Sequence, residues 1–492
     1  MYRSRPKAKL DNRVLRFLSS IQHDESILIY DILGSEAHSI MLHEMGQLTS
    51  LELKKILLAL EEARKNPHKI ETQGYEDIHE ALEVFVIKKA GMEAGGKMHT
   101  ARSRNDQVVL DIRMKIRDDI NEICSALTNL IEGLVQEANE HKETVMLMYT
   151  HLQQAQIGTF SHFLLSYSYA LMRDMERLYL VYQRMNQSPL GACAIGGSSI
   201  RIDRKMTANL LGFDSIVRNS IDATSARDSF LEYAAMLAIM ASTLGRIAED
   251  LIIWSTTEFG YVELSDQYSS TSSAMPQKKN PDPLELARAK VSIVSSNLVS
   301  MLGIVKALPS GYSRDLQDIK PSLLGTSAIV LETIKVIDGT VRSLVVNKKK
   351  MHQAASTSYA IAIDIAEQLV MNNKIPFRTA HKVVGALVNT AADKYNMPLG
   401  KLKLSEIASV LKVQGVSIKP GTLLRIIKEI TPEKSLQRRK SEGSPNLQEQ
   451  EEMIKSLTQA TSNYKIGIQK RTKMVQGSFD NLHNIVMKNL RS

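Results

Sequence analysis

The chain has 492 residues, of which 43% are hydrophobic, 5% aromatic and 23% charged, so it can bury a large core and should divide into more than one domain. Its net charge of +9 is interspersed with acidic residues, and runs such as Lys348-Lys349-Lys350 and Arg438-Arg439-Lys440 are short; with no zinc-finger spacing or RNA-binding motif they read as solvated surface, with a nucleic-acid binder the minor reading. Cys124 and Cys193 are the only cysteines, no signal peptide opens the chain, and the apolar stretch near Leu237 is broken by Arg246, Glu249 and Asp250, which predicts a soluble, reduced, cytoplasmic protein with no membrane partner.

Sparse Gly and Pro beside abundant Leu, Ile, Ala, Met, Lys and Glu favour helices over sheets. Residues 1–9 read as a loose basic tail, followed by short amphipathic helices up to about Glu93. No proline occurs between Pro67 and Pro189 or between Pro189 and Pro276, which leaves room for long uninterrupted helices, expected over 108–139 and 152–184. The clearest seam follows. Phe230, Leu237, Leu244 and Leu251 recur every seven residues, and Tyr233, Met240, Ile247 and Trp254 do so at an offset of three, the a/d pattern of a bundled helix. It should start near Asp228 and Ser229 and stop near Phe259-Gly260. Helices after Pro283 and Pro321 complete a bundle of about five. From Met351 onward, Pro376, Pro398, Pro420 and Pro432 punctuate shorter amphipathic helices, and 436–450, rich in charge, Ser and Gln, reads as an exposed loop. The expected architecture is all-α, in three helical domains over 1–100, 101–350 and 351–492, the middle one a long-helix bundle.

Four polar clusters interrupt this pattern. In the first, Gly95-Gly96-Lys97 leads through Arg102, Arg104 and Asn105 into a long helix, so backbone N–H groups and side chains can converge on a carboxylate. Gly91, Gly96 and Lys97 fit the opening of a phosphate-binding P-loop, but Met98 stands where Ser or Thr must hold magnesium, and that reading is rejected. In the second, Tyr149-Thr150-His151-Leu152-Gln153-Gln154, an imidazole adjoins a polar face formed by positions 150, 153 and 154 of the expected helix. In the third, small residues precede Met275-Pro276 and leave a mobile loop that carries Ser272, Lys278 and Asn280, a lid suited to close over an anion. Asp282 can then cap a helix with Pro283 at its first position and Glu285 at its third. In the fourth, a helix after Gly311 would set Arg314 and Gln317 on one side, extended by Lys320.

The first, second and third clusters resemble the motifs of the argininosuccinate lyase family, within the fumarase/aspartase superfamily, and the fourth resembles that family's substrate segment. The resemblance runs from about residue 17 to about residue 445, with the motifs in the family's order. Phe17-Leu18-Ser19-Ser20-Ile21, Asp31 and Glu76-Asp77-Ile78-His79 also match family segments, although the family's common Trp-Gly-Gly-Arg-Phe opening is absent. Met98 and Ala101 are mild changes, Ile157 replaces the usual Pro, and Thr271 stands where Gly is usual.

The resemblance implies reversible β-elimination of argininosuccinate to L-arginine and fumarate, the last step of arginine biosynthesis, with no metal and no cofactor. Another fumarate-releasing lyase, of the adenylosuccinate lyase or aspartase type, is the alternative. The implied catalytic residues are His151, Ser272, Lys278 and Glu285. Substrate contacts are implied for Ser20, Arg104, Asn105, Thr150, Asn280, Tyr312, Gln317 and Lys320, and His79 either lines the site or is structural. Ser272 would abstract the proton while His151, held by Glu285, protonates the leaving nitrogen; the opposite assignment stays open. Residues near 105, 151 and 272 come from different ends of long helices and cannot all meet in one rigid chain, which accords with what the resemblance implies, a homotetramer whose sites are each built by three subunits.

Overall fold

Several helix starts are written into this sequence as side-chain caps, each satisfying backbone donors that a first turn leaves unpaired. In the computed structural model, which describes residues 10–491, Thr49 and Glu52 form a reciprocal capping box and Asp77 accepts from the Glu80 N–H. The basic tail expected over 1–9 lies outside the described residues. Helices α1 (Leu28–Glu44), α2 (Ser50–Lys65) and α3 (Ile78–Ala90) pack through Leu33, Ile56, Leu60, Leu82 and Val86 onto Leu110 and Met114 of the next helix.

That helix, α4 (Arg104–Glu140), opens with a second capping box, between Ser103 and Asp106. It is followed by a hairpin of β1 (Val145–Thr150) and β2 (Gln153–Thr159), then by α5 (Phe160–Met185) and α6 (Asp228–Ser255). A short strand pair, β3 (Ser270–Thr271) with β4 (Lys279–Asn280), precedes α7 (Asp282–Val305) and α8 (Ile319–Arg342). Helices α4 to α8 form the bundle. All eight heptad residues of α6 are between 0 and 6% exposed, and burying side chains of this size contributes roughly 1.5–3 kcal/mol each.

Neighbouring pairs set the directions. Gly245 faces Val291 and Glu249 pairs with Arg288, so α7 runs antiparallel to α6. Asn297 then reaches Thr326 at 2.9 Å as α8 turns back, and Arg342 at the far end of α8 bonds the Asn129 carbonyl of α4. Beyond the bundle, Ala362–Asn373, Phe377–Asn389, Leu404–Val413 and Pro420–Glu429 gather a separate core around Leu369, Val383, Leu387, Ile407 and Leu423.

The fold is all-α, with short strand pairs as ornaments. Three expectations change. The helix expected over 152–184 begins only at Phe160, because the preceding residues form the hairpin. The loop expected over 436–450 is shorter, lying between helices that end at Arg438 and begin at Leu447; Gln450 is buried and accepts from Thr159 Oγ1 at 2.7 Å. The chain then closes not with a short helix but with α9 (Leu447–Arg491), 45 residues long. Its Leu457 and Ile468 join the bundle core, and its Leu482 and Val486 join the N-terminal core.

Candidate active site

The candidate residues fall into two groups, one at each end of the bundle. At the first end α4 begins, α5 stops and α6 begins. Arg113 of α4 joins them, donating to the Arg184 and Met185 carbonyls at 3.1 and 3.3 Å and reaching Ser229 Oγ at 3.5 Å. Ser20 donates to Asp24 at 2.8 Å, and the Lys320 ammonium, on the first turn of α8, reaches Ser20 Oγ at 3.1 Å and pairs with Asp24. Asp24 also accepts from the Ile78 N–H at 3.3 Å. Lys320 and Asp24 are both 0% exposed. Lys320 therefore faces inward and braces Ser20 from behind.

Gln317 donates to the Tyr312 hydroxyl at 2.7 Å. Burial pushes that hydroxyl's pKa upward, while Gln317, Arg314 and Arg227 pull it back. Arg314 turns to Glu76 at 2.9 Å and to the Leu18 carbonyl. Residues Arg314–Gln317 form a single 3-10 turn, in which Arg314 and Gln317 eclipse, and the α-helix starts only at Ile319, so the continuous helical side expected to extend to Lys320 is broken. Arg104 pairs with Asp77, and Asn105 donates to the Ala194 carbonyl at 3.0 Å. Burial works against the Asp77 charge, yet His79 and Arg104 outweigh it and hold the carboxyl below its ordinary range.

Beneath this surface lies a buried charge network. His79 is 1% exposed, with Nδ1 3.0 Å from Asp31 and 3.3 Å from Asp111. The three ligand atoms lie within 4.8 Å of one another, a spacing a metal ion could use. Arg102 acts on both carboxylates and Lys320 on Asp111, so the protein itself supplies positive charge there. Burial, then repulsion from Asp31, drives the Asp111 carboxyl well above its ordinary range. Asp31 is equally buried, but His79, Arg102 and Gln107 together hold it below. Sequence reasoning passed over Asp24 and Asp111. Asp24 was within reach, since it stands four residues after Ser20, the spacing at which helical neighbours meet.

At the other end, Thr150 pairs with Gln153 across a two-residue turn in which His151 and Leu152 have φ of 56° and 58°. Two positive φ values define the primed hairpin turn that Asn-Gly usually fills. For L-residues with a Cβ, left-handed backbone costs roughly 1–2 kcal/mol each. His151 and Leu152 are nonetheless exposed, Leu152 at 74%. The turn end of the hairpin is anchored where α6 ends, by a 2.7 Å bond between the hydroxyls of Tyr149 and Tyr261 and by packing of Tyr149 on Trp254. The polar face expected at 150, 153 and 154 is thus a hairpin turn, not a helix.

The lid is a tongue on β3 and β4. Ser272 Oγ at its tip accepts from the Met275 and Ala274 N–H groups at 3.0 and 3.3 Å, and Lys278 N donates to the Met275 carbonyl at 3.0 Å. Lys279 pairs with Asp266 at 2.8 Å and Glu263 at 3.3 Å. Lys278 is exposed and forms no ion pair among the described residues. The capping box expected at Asp282 does not form. Pro281 is the cap, its carbonyl accepting from Leu284 and Glu285, and Asp282 accepts from Ser270 instead. Glu285 is left exposed on the first turn of α7, and no hydrogen bond joins it to His151 among the described residues.

The two groups are far apart. With 28 residues in α6 and a rise of 1.5 Å per residue, roughly 40 Å separates the ends. Ser20, Arg104, Asn105, Tyr312, Gln317 and Lys320 lie at one, and Thr150, His151, Ser272, Lys278, Asn280 and Glu285 at the other. The first end offers amide, hydroxyl and guanidinium donors suited to carboxylates. The second offers an imidazole, an ammonium and a hydroxyl oxygen held by two backbone donors, groups suited to proton transfer.

The model of a family described as "Lyase" matches residues 5–295, and that described as "Argininosuccinate lyase C-terminal" matches residues 359–435. A relative in Nitrosopumilus maritimus, named argininosuccinate lyase, is 49% identical over 482 residues, covering 98% of each chain. Another of that name, in Methanocaldococcus jannaschii, is 39% identical over 464 residues, covering 94% of each. Among solved structures, an EDDS lyase in complex with formate superposes with a TM-score of 0.87 at 28% identity, covering 97% of this chain and 94% of that one.

Proposed function

The chain belongs to the argininosuccinate lyase family of the fumarase/aspartase superfamily, and we propose that it builds each active site from the two bundle ends of different subunits in a homotetramer. It is a carbon–nitrogen lyase that cleaves argininosuccinate reversibly to L-arginine and fumarate. A proton leaves the succinyl CH2 beside a carboxylate, the C–C double bond forms, and the electron pair of the C–N bond departs with the guanidino nitrogen. The intermediate aci-carboxylate carries extra negative charge, and donors aimed at charge that develops in the transition state are the largest catalytic lever.

The lid supplies the reacting groups in this reading. Ser272 abstracts the proton: an ordinary serine is far too weak a base, but two N–H donors on Oγ stabilise the alkoxide form. Lys278 and Asn280 steady the aci-carboxylate. His151, oriented by Glu285 of another subunit, protonates the leaving nitrogen. Asn105, Arg104, Tyr312 and Gln317 at the opposite end bind the substrate, with Lys320 bracing Ser20.

The separation of the two groups along the bundle carries the subunit-sharing part of this reading. Helix α7 adds support: it buries only Leu284, Ala287, Val294 and Met301 of its apolar residues and exposes Leu286, Ile293, Val299 and Leu302. It is the one helix among the described residues that is long and apolar enough to cross a membrane. In the reading proposed here its exposed residues pack on other copies in a cytoplasmic enzyme.

Fumarate release followed by its ultraviolet absorbance is the test. Turnover with argininosuccinate and none with adenylosuccinate is expected. The reverse pattern would refute the substrate assignment.

A further inference from the structure

Because Arg314 and Gln317 eclipse on their 3-10 turn, the Arg314 guanidinium stands beside the Gln317–Tyr312 hydrogen bond at the substrate-binding end, and its charge reaches the Tyr312 hydroxyl. Arg314 Nη1 pairs with Glu76 at 2.9 Å and Nη2 donates to the Leu18 carbonyl. The Glu76 carbonyl in turn accepts from the Ser20 N–H at 2.8 Å. The ion pair thus adjoins Ser20 on one side and Tyr312 on the other.

Its accessibility sets it apart. At this end Asp77, the partner of Arg104, is 3% exposed, and Lys320 and Asp24 are closed altogether, whereas the side chains of Arg314 and Glu76 are 39% and 36% exposed. An ion pair in contact with water contributes little to folding, but it can turn a face to a ligand without opening a buried network. Neither charge is used up. The guanidinium has N–H donors beyond the two in use, and Glu76 Oε1 accepts no hydrogen bond among the described residues.

The arginine half of argininosuccinate ends in a carboxylate and an ammonium on one carbon, the charge complement of this pair. We propose that Arg314 and Glu76 clamp that head group, Arg314 taking the carboxylate and Glu76 the ammonium, so that the four charges alternate in sign and the guanidino nitrogen is left to meet the lid of another subunit. The clamp depends on the placement of Tyr312 and Gln317 in the substrate-binding end proposed above. It makes the pair the determinant of specificity for an amino acid over an amine or an acid, since a site built to pair with a group rejects the analogue that lacks it.

The test is inhibition of argininosuccinate cleavage in the full-length oligomer by L-arginine, by agmatine, which lacks the carboxylate, and by the des-amino analogue of arginine, which lacks the ammonium. The wild type should hold arginine at least about tenfold more tightly than either analogue, the worth of one charge-assisted hydrogen bond. Arg314→Met should erase the advantage over agmatine and Glu76→Gln the advantage over the des-amino analogue, each raising KM for argininosuccinate more than it lowers kcat. Where a variant cleaves too slowly for inhibition kinetics, saturation-transfer NMR on the folded oligomer reads the same three affinities, and if Arg314→Met does not fold, Glu76→Gln alone decides. Gln317→Ala tests the binding end separately: it should weaken all three ligands by a common factor, and no effect would refute that placement while the analogue ratios still decide the clamp. The clamp is overturned if the wild type holds the three ligands alike, or if Arg314→Met weakens arginine and agmatine equally, since Arg314 would then only anchor Leu18.

Discussion

Ser272 and Asp24 show how single side chains are prepared for charge. The Ser272 oxygen already accepts two backbone N–H groups, so the lid's own turn favours the ionised form before substrate arrives. Ser272→Ala should lower kcat by about 10²–10⁴-fold, the usual worth of a positioned proton-transfer group, with the melting temperature unchanged because the residue sits on an exposed tongue; stopped-flow fumarate absorbance measures it. Asp24 instead neutralises a lysine that has no access to water. Asp24→Asn leaves the buried Lys320 charge unpaired, which should cost about 3–5 kcal/mol in urea unfolding.

His38 makes a third case, at the level of protons. Fully buried, with Nε2 2.8 Å from the Thr100 carbonyl, it has its pKa lowered from 6.5 to about 3, by burial first and the Arg102 charge second. The folded state therefore refuses a proton that the unfolded chain accepts below pH 6.5. Its contribution to stability is whole above that pH and is lost as pH falls toward 3. Relative to His38→Gln, the wild type should lose about 1.6 kcal/mol between pH 6.5 and 5, the slope rising toward about 1.4 kcal/mol per pH unit as the unfolded imidazole fills; paired denaturation curves at the two pH values read the difference.

At the scale of elements, the long helices were legible where their burial is two-sided and regular. The α6 seam places two large apolar residues in every heptad, and all of them are buried. Helix α9 was not legible because it presents a thin seam, Thr461, Ile468, Val475 and Leu482 at intervals of seven, interrupted by Gly467 and Gly477 and otherwise polar. The hairpin escaped for a different reason. Its turn uses His151 and Leu152 where turn chemistry would call for Asn-Gly, so local preference argued for a continuous helix. The motif residues themselves could be found in sequence, but the inward turn of Lys320 could not, since its partner Asp24 is 296 positions away. Helix α7 carries the prediction at this scale. Ile293→Lys places a charge among its exposed apolar residues and should dissociate the assembly while leaving helix content unchanged. Light scattering after size exclusion, with far-ultraviolet circular dichroism, would show it; an intact oligomer would remove α7 from the subunit contact.

For the whole molecule, the distance between the two half-sites turns a geometric fact into an assay. A chain damaged only at its substrate-binding end keeps a sound lid and His151, and a chain damaged only in its lid keeps a sound binding end. Asn105→Ala and Ser272→Ala are therefore expected to be nearly inactive alone. After co-refolding of equal amounts, random pairing leaves about one site in four with two undamaged halves, so about a quarter of wild-type activity should return. Sites formed within one chain would give no recovery at any mixing ratio, because each would carry one lesion or the other. The dependence on ratio is equally diagnostic. Recovery should peak at equal proportions and fall on either side, as the chance of pairing unlike chains requires, and it should vanish in Ile293→Lys versions of both proteins if α7 holds the subunits together.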